Sequence, residues 1–468
     1  MSSVNILSNS QPDSVMDVDP SRLPIECVMD REAEAKEDEA LDEMGSVDEQ
    51  ASTSRAGCDP DLSLYRDNES AHNLYLSAIK ATAAGMGGPP AASSLDDLAL
   101  PSESSSIRSN SSRSDPDDVD YSILDRYGFI VVKHQDRTET GGTEDGEDKS
   151  LKGRQERQGR KEARRAIKWV DMLKVLEAVS ELSQWPKSHR KFESRLVKGI
   201  PECLRMKVWA QFMRVPLAVS PSPNYRELYL KISGFERQID LDIERTLRDH
   251  ILFKARFSSA QVSLFKILVA YSNVDPEVGY CQGMSTIAAF LLLYFEEEMA
   301  FNMLKRLMDR DGLRSLFTAG FPLLFETFFV QEQLMKRYMS TLYVRLESLH
   351  ITSSVYATKW YLTLFLGFPF SLATRLWDLF LYWGLDMLIC ASLALLKMHE
   401  QYLLTLSYES SMQFLSKLPE TPIDEKRLVR TTWTIWRRIH PHYLDQEERK
   451  SPFQALRVQY GKLSAKKA

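Results

Sequence analysis

The stretch Gly279-Tyr-Cys-Gln-Gly-Met-Ser-Thr-Ile-Ala-Ala-Phe-Leu-Leu-Leu-Tyr-Phe-Glu-Glu-Glu298 decides the fold class. It opens as a polar loop with a glycine on each side of Tyr-Cys-Gln. From about Thr286 it becomes a continuous apolar run that stops on three glutamates. A second run of the same kind, Leu388 to Leu396, lies between Asp386 and Lys397. Each is about half the roughly 20 residues that a membrane span needs, and charges bound both. Both are therefore expected to be core helices of a globular domain.

Working outward, residues 198–418 carry helix-length apolar patterns separated by turn signals: Gly199-Ile-Pro201, Pro216 to Pro223, Asp275-Pro276, Gly320-Phe-Pro322, Gly367-Phe-Pro369 and Pro419. Period-two alternation and a strand–helix–strand rhythm are both missing, so the expected class is all-α. Upstream, residues 121–197 read as an extended apolar segment (Asp125 to Val132), a polar loop (136–153) and a basic amphipathic helix. That helix runs from about Gln155 to Val179, with Ile167, Val170, Leu173, Val175 and Leu176 at helical spacing. Downstream, residues 419–449 hold one more helix, Glu425 to Ile439, and residues 450–468 read as a basic, frayed tail.

Charge is distributed unevenly. Residues 1–120 hold 25 Asp and Glu against 8 Lys and Arg, a balance of −17, so within an overall −6 the rest of the chain carries +11. The arm is rich in Ser, Asp, Glu, Ala and Pro and lacks sustained apolar periodicity. Such a segment buries too little surface to offset its ordering entropy and is expected to be disordered. Leu74 to Met86 is suited to a transient helix. The run Ser102 to Ser114 suits either phosphorylation or a plain solvated linker. The basic run Arg154 to Lys168 has no interleaved aromatics, so it does not fit a single-stranded nucleic-acid binder. The five cysteines, Cys27, Cys58, Cys203, Cys281 and Cys390, are scattered and odd in number. That points to free thiols in a reducing, cytoplasmic compartment. The N-terminus has no basic stretch followed by an apolar one, so no secretory signal is expected.

Signatures of self-sufficient enzymes fail. There is no phosphate-binding glycine loop and no dinucleotide fingerprint. Gly283-Met-Ser285 lacks the second glycine of a nucleophile elbow. His399-Glu400 lacks the second histidine of a zinc-protease pattern, and His440 and His442 have no neighbouring cysteine. What remains is a set of polar residues in apolar helical text. Ile239, Asp242 and Arg245 are spaced three apart, which places them on one face of a helix. Gln282 sits between a Pro-containing turn and a helix start, where backbone can approach a partner closely. Lys198-Gly-Ile-Pro201 precedes Arg205-Met-Lys-Val-Trp209, and Lys359-Trp360 leads through Pro369 to Arg375-Leu-Trp377-Asp378. Taken singly, each has a structural reading: a helix-surface ion pair, a cap, and core anchors for Trp209, Trp360 and Trp377.

In combination they resemble the TBC domain, the helical domain of Rab GTPase-activating proteins. The matching pieces, in order, are Gly199-Ile-Pro201, Arg205 to Trp209, Ile239-xx-Asp242-xx-Arg245, Tyr280-Cys-Gln282-Gly-Met284, Trp360, and Trp377-Asp378 with Gly384. Asp125-Arg-Tyr-Gly-Phe129, Lys168-Trp169 and Gln238 to Asp242 look most like the subgroup typified by RN-Tre. Met206 departs from the glycine that many relatives carry there, with an effect expected on local packing.

The resemblance implies a function in vesicle traffic, carried out on a GTP-bound Rab with Arg245 and Gln282 as catalytic residues supplied in trans. Arg245 would neutralise charge at the β–γ bridge and γ-phosphate; Gln282 would orient the attacking water. Asp242 would hold Arg245, with Tyr280 and Arg205 in support. Mg-GTP would belong to the partner, so no cofactor or metal is expected in this chain, and no nucleic acid. An arginine supplied in trans is worth about 10³ to 10⁵ in rate, or roughly 4 to 7 kcal/mol. Lysine cannot replace it, because a planar guanidinium contacts two oxygens at once. The subgroup resemblance points to endosomal and Golgi-associated Rabs, and to peripheral contact with endosomal, Golgi or plasma membranes. Two alternatives stay open: a module that captures a GTPase without catalysis, and a membrane adaptor acting through the basic helix and tails.

Overall fold

The computed structural model of the protein describes residues 124–130, 144–178, 189–217, 224–440 and 451–466. The expected acidic arm, Leu74 to Met86, Ser102 to Ser114, Cys27, Cys58 and His442 lie outside them.

The described residues are helical, as expected, and their only β pairing is two isolated bridges near Phe129. In chain order the helices are α1 Glu144–Ala178, α2 His189–Lys198, α3 Glu202–Met213, α4 Tyr225–Leu230, α5 Glu236–Ile243, α6 Ile251–Lys254 and α7 Ser259–Val274. They continue with α8 Met284–Leu292, α9 Glu297–Asp309, α10 Pro322–Tyr338, α11 Ser340–Ser348, α12 Ser353–Tyr356 and α13 Thr358–Leu362. The last are α14 Phe370–Trp383, α15 Leu385–Met398, α16 Glu400–Thr405, α17 Tyr408–Lys417, α18 Glu425–Ile439 and α19 Pro452–Ser464.

The two apolar runs become α8 and α15. In α15 every residue from Met387 to Leu396 is buried, because α14, α18 and α10 all pack against it. A helix apolar all round is stable only when it is enclosed. Around α8 an aromatic cluster forms. Phe290 meets Trp377 with centroids 4.7 Å apart and Trp209 meets Tyr294 at 4.6 Å, joining α3, α8 and α14. Trp209, Trp360 and Trp377 are all core residues, as their apolar surroundings in sequence implied.

Two parts of the chain differ from expectation. Helix α1 starts at Glu144, so the polar loop read for 136–153 ends earlier. Its buried stripe is Ala166, Trp169, Leu173 and Leu176, whereas Ile167 faces solvent at 45%. Trp169 decides this rotation, because its indole N–H donates to the Gly199 carbonyl at 3.1 Å and the ring stacks edge-on to Phe192. The tail read as frayed contains α19, which packs along α10. Phe453 is fully buried, and Arg457 pairs with Glu326 (2.9 Å) and with Asp386. Those carboxylates stand on α10 and α15, far away in sequence, so no local pattern announces the docking.

Candidate functional site

Helix α5 ends one residue after Asp242, and the way it ends builds the site. The Thr246 hydroxyl donates to the Asp242 carbonyl at 2.7 Å, offering that carbonyl a partner other than the continuing helix. The Arg245 N–H closes a tight three-residue bond to the same carbonyl at 3.2 Å. Leu247 then takes a left-handed φ of 47° and turns the chain away. Arg245 therefore sits in a turn just beyond α5. Ile239 is fully buried while the Arg245 side chain is 61% exposed, so the expected common face splits into a core end and a solvent end.

Asp242 is the hinge between them. Its side chain is 7% exposed, and Oδ1 accepts from Arg245 Nη2 at 2.5 Å. Oδ2 accepts from the Tyr280 hydroxyl, also at 2.5 Å. Tyr280 is itself buried, and burial, reinforced by the bond to Asp242, raises its phenol well above the ordinary range. It stays protonated and remains a donor. The Ser285 hydroxyl lies 3.0 Å from that of Thr246 and ties the first turn of α8 to the same point.

Two residues beyond Tyr280, Gln282 is exposed and its side chain has no hydrogen-bond partner among the described residues. The loop that carries it can form only with glycine at both ends. Gly279 has φ 57° and a Cβ there would lie 2.2 Å from the Phe235 ring. Gly283 has φ 106° and a Cβ would lie 2.7 Å from the Leu362 carbonyl oxygen. The backbone is thus pressed onto Phe235 and Leu362, leaving the Gln282 side chain on the outside. Cys281, between Tyr280 and Gln282, has its thiol raised by burial and by the Asp242 charge, which makes it a poor nucleophile.

The arrangement has a chemical meaning. An ion pair with so exposed an arginine contributes about 1 kcal/mol or less to stability, while burying the carboxylate costs more. Stability alone does not account for it. What it achieves is a guanidinium of fixed direction on the surface, tied through one carboxylate to the loop that presents a free carboxamide. Such a pair can stabilise developing negative charge and hold a water on a partner.

Arg205 is placed elsewhere. It is buried and gives Nε to Asp378 Oδ1 (3.0 Å), Nη2 to the Ile200 carbonyl (3.0 Å) and Nη1 to Glu202. Trp209 Nε1 donates to the same Asp378 Oδ1 at 3.0 Å, and Arg375 bridges Asp378 Oδ2 (3.3 Å) and the Val197 carbonyl (2.6 Å). Coulombic attraction to Asp378 and Glu202 outweighs burial and raises the Arg205 guanidinium well above its ordinary value. The residue clamps α3 to α14 and to the Gly199–Pro201 turn, and makes no contact with Asp242 or Arg245. Met206, next to it, is 37% exposed. The sequence does not single out Thr246 and Ser285. Only their adjacency to Arg245 and Gln282 hints at a role, since the contact between them spans 39 residues.

Among the described residues no group of three or more His, Cys, Asp and Glu could hold a metal ion, and no helix is long and apolar enough to cross a membrane. Cys203, Cys281 and Cys390 form no disulfide.

Comparison with known proteins places these features in a family. Residues 202–404 match the family model described as the Rab-GTPase-TBC domain. A TBC domain-containing protein of Schizosaccharomyces pombe is 34% identical over 279 residues, covering 58% of this chain and 67% of its own length. The human ecotropic viral integration site 5 protein homolog is 35% identical over 242 residues (51% of this chain, 30% of its own length). The Caenorhabditis elegans Rab GTPase-activating protein tbc-11 is 38% identical over 230 residues (48% and 25%). The chain thus spans less than a third of the last two. Among solved structures, the Chlamydomonas flagellar RabGAP TBC domain has a TM-score of 0.50 at 23% identity, over 67% of this chain and 99% of that one. The Ypt/Rab-GAP domain of Gyp1p has a TM-score of 0.50 at 20% identity, over 60% and 99%. At those identities the two structures speak for the fold. With the fold, the Arg245 turn and the Gln282 loop in place, the chain belongs to the Rab-GTPase-TBC domain family.

Proposed function

We propose that this protein accelerates GTP hydrolysis by a Rab-family small GTPase, lending Arg245 and Gln282 to the partner's nucleotide site. The observation that carries the reading is the shared carboxylate of Asp242, which fixes an exposed guanidinium and, through Tyr280, the loop presenting Gln282. The nematode relative's name, which describes a Rab GTPase-activating protein, supports it.

In the mechanism, the GTPase brings Mg-GTP and this chain brings side chains only. The guanidinium of Arg245 bridges oxygens on which charge accumulates as the γ-phosphoryl group leaves. Its direction is set before the encounter, so little reorganisation is needed at the transition state. The Gln282 carboxamide accepts from and donates to the attacking water, holding it in line. Asp242 holds Arg245 through Oδ1, and Tyr280 keeps that carboxylate from rotating.

The finer reading is that the chain sits in the RN-Tre subgroup, on the strength of Asp125 to Phe129, Lys168-Trp169 and Gln238 to Asp242. The partner is then a GTP-loaded Rab of endosomal or Golgi membranes, met from the cytoplasm. The net +11 outside the acidic arm supports peripheral attraction to anionic membrane. The test is single-turnover phosphate release from a panel of GTP-loaded Rabs with the purified full chain. Acceleration of about 10³ or more for at least one member is expected. A flat response across the panel would remove the reading.

A further inference from the structure

The turn that carries Arg245 is anchored at both ends, and its far anchor comes from outside the region that matches the family model. The near end is Asp242, with its bonds to Tyr280 and Thr246. The far end is His250, which is buried. Across His250 lies the segment 124–130, antiparallel to 249–251. The Ile130 N–H donates to the Asp249 carbonyl at 2.9 Å and the Ile251 N–H to the Gly128 carbonyl at 3.1 Å. The His250 ring joins the pairing from the side. Its Nδ1 accepts from the Leu252 N–H at 3.2 Å, so the ring proton resides on Nε2, which donates to the Tyr127 carbonyl at 2.8 Å.

The segment is itself pre-shaped. Asp125 Oδ1 accepts from the N–H groups of Tyr127 (2.8 Å) and Phe129 (2.9 Å), and the Asp125 N–H donates to the Phe129 carbonyl at 2.8 Å. Gly128 completes the fold-back at φ 92°, where a Cβ would stand 2.8 Å from His250 Nε2. Tyr127 and Phe129 both rest on Phe370, at 4.7 and 5.0 Å between centroids, and Phe370 rests on Phe290 of α8. A knot of seven residues therefore joins the end of the arginine turn to the helix that begins just after Gln282.

We propose that residues 125–130 are a positioning clamp for Arg245, holding the far end of its turn so that the guanidinium keeps a hydrolysis-competent direction. The six residues from Glu244 to Asp249 belong to no helix, so their shape depends on these two anchors. With the far anchor released, Asp242 still pairs with Arg245, but the backbone beneath the arginine samples other directions. The loss then falls on the chemical step, because the clamp residues are not among the groups offered to the nucleotide. The clamp rests on the Rab-activating reading, and is separable from it.

The test uses the full chain and whichever Rab responds to it. Wild type and Arg245→Ala first establish the activation itself, independently of the clamp. Asp125→Ala, which removes the acceptor that shapes the knot, is expected to lower kcat roughly 10- to 100-fold with KM within about twofold, since misplacement by about 1 Å is worth that much. Asp125→Asn, which keeps Oδ1, should restore most of the rate. Gly128→Val, aimed at the His250 contact, should behave like Asp125→Ala. Circular dichroism at the assay temperature checks that each variant is folded. An unchanged kcat in folded Asp125→Ala and Gly128→Val, a change confined to KM, or an Asp125→Asn as slow as Asp125→Ala would each overturn the clamp while leaving activation standing. A wild type that activates no Rab would instead sink the underlying reading.

Discussion

The Tyr280 hydroxyl lies 2.5 Å from Oδ2 of Asp242, although 38 residues separate the two in sequence. The bond joins the end of α5 to the loop before α8 and leaves Oδ1 free to hold Arg245. Tyr280→Phe keeps the ring and removes only the donor, so a buried carboxylate oxygen is left unsatisfied. We expect a stability loss of about 1–3 kcal/mol in urea unfolding. We also expect a fall of roughly 10-fold in the stimulated hydrolysis rate, equivalent to about 1.4 kcal/mol on the barrier. A rate equal to wild type in the folded variant would separate Tyr280 from the site.

Asp378 tests a different role. It accepts from Arg205, Trp209 and Arg375 at the α3–α14 contact and is fully buried. Asp378→Asn removes the carboxylate that Arg205 and Arg375 share, leaving them only Glu202 and Glu425, and breaking such a buried pair costs up to about 3–5 kcal/mol. Chemical denaturation should show that loss, while the folded fraction at low temperature retains the hydrolysis rate of wild type. A rate collapse without loss of stability would place Asp378 and Arg205 in the reaction.

Gly283 is required by its surroundings as well as by its φ of 106°. Gly283→Ala drives a methyl group to 2.7 Å from the Leu362 carbonyl oxygen, which is backbone and cannot swing away. Strain at such a φ is worth about 1–2 kcal/mol before the clash is added. Thermal unfolding should move down by several degrees, and hydrolysis should fall because the Gln282 loop lifts off Leu362. A variant with unchanged Tm and rate would contradict the close packing of that loop.

His250 predicts a pH dependence. Burial lowers its imidazole from the ordinary 6.5 to about 4, against the opposing bond to the Tyr127 carbonyl. The folded state keeps the ring neutral where the unfolded chain would protonate it. Stability from this residue is therefore complete above about pH 6.5 and is lost as pH falls toward 4, by about 3 kcal/mol at most. Urea unfolding between pH 4 and 7 should show this slope in wild type and lack it in His250→Gln. Equal slopes would mean that the ring is solvated.

Much of the fold was legible because its signals are local. The lengths of the apolar runs, the Gly-Pro turn signals and the three-residue spacing of Asp242 and Arg245 all act within one or two turns of helix. The segment Asp125 to Val132 was legible as an apolar strip that packs on the domain, though its partner, His250, was not. What escaped depends on long-range pairing. The Tyr280–Asp242 bond, the convergence of Arg205, Trp209 and Arg375 on Asp378, and the docking of α19 by Arg457 each join residues tens to more than a hundred positions apart. Basic composition made 450–468 look solvated, because its docking rests on a few residues, among them Phe453, Arg457 and Tyr460. The site motifs gained weight from their order along the chain. Arg205 shows the limit of that signal, since it belongs to the same set of motifs and is a buried clamp.

The central claim is that Arg245 acts on the partner's nucleotide and serves the fold little. The most direct measurement is single-turnover GTP hydrolysis by the responsive Rab with wild type, Arg245→Ala and Arg245→Lys, alongside the affinity of each for the Rab bearing a non-hydrolysable GTP analogue. The account predicts that both variants unfold like wild type, keep affinity for the analogue-bound Rab within a few-fold, and lose stimulation by about 10³ or more, with lysine giving little rescue. Stimulation by folded Arg245→Ala equal to wild type would contradict it.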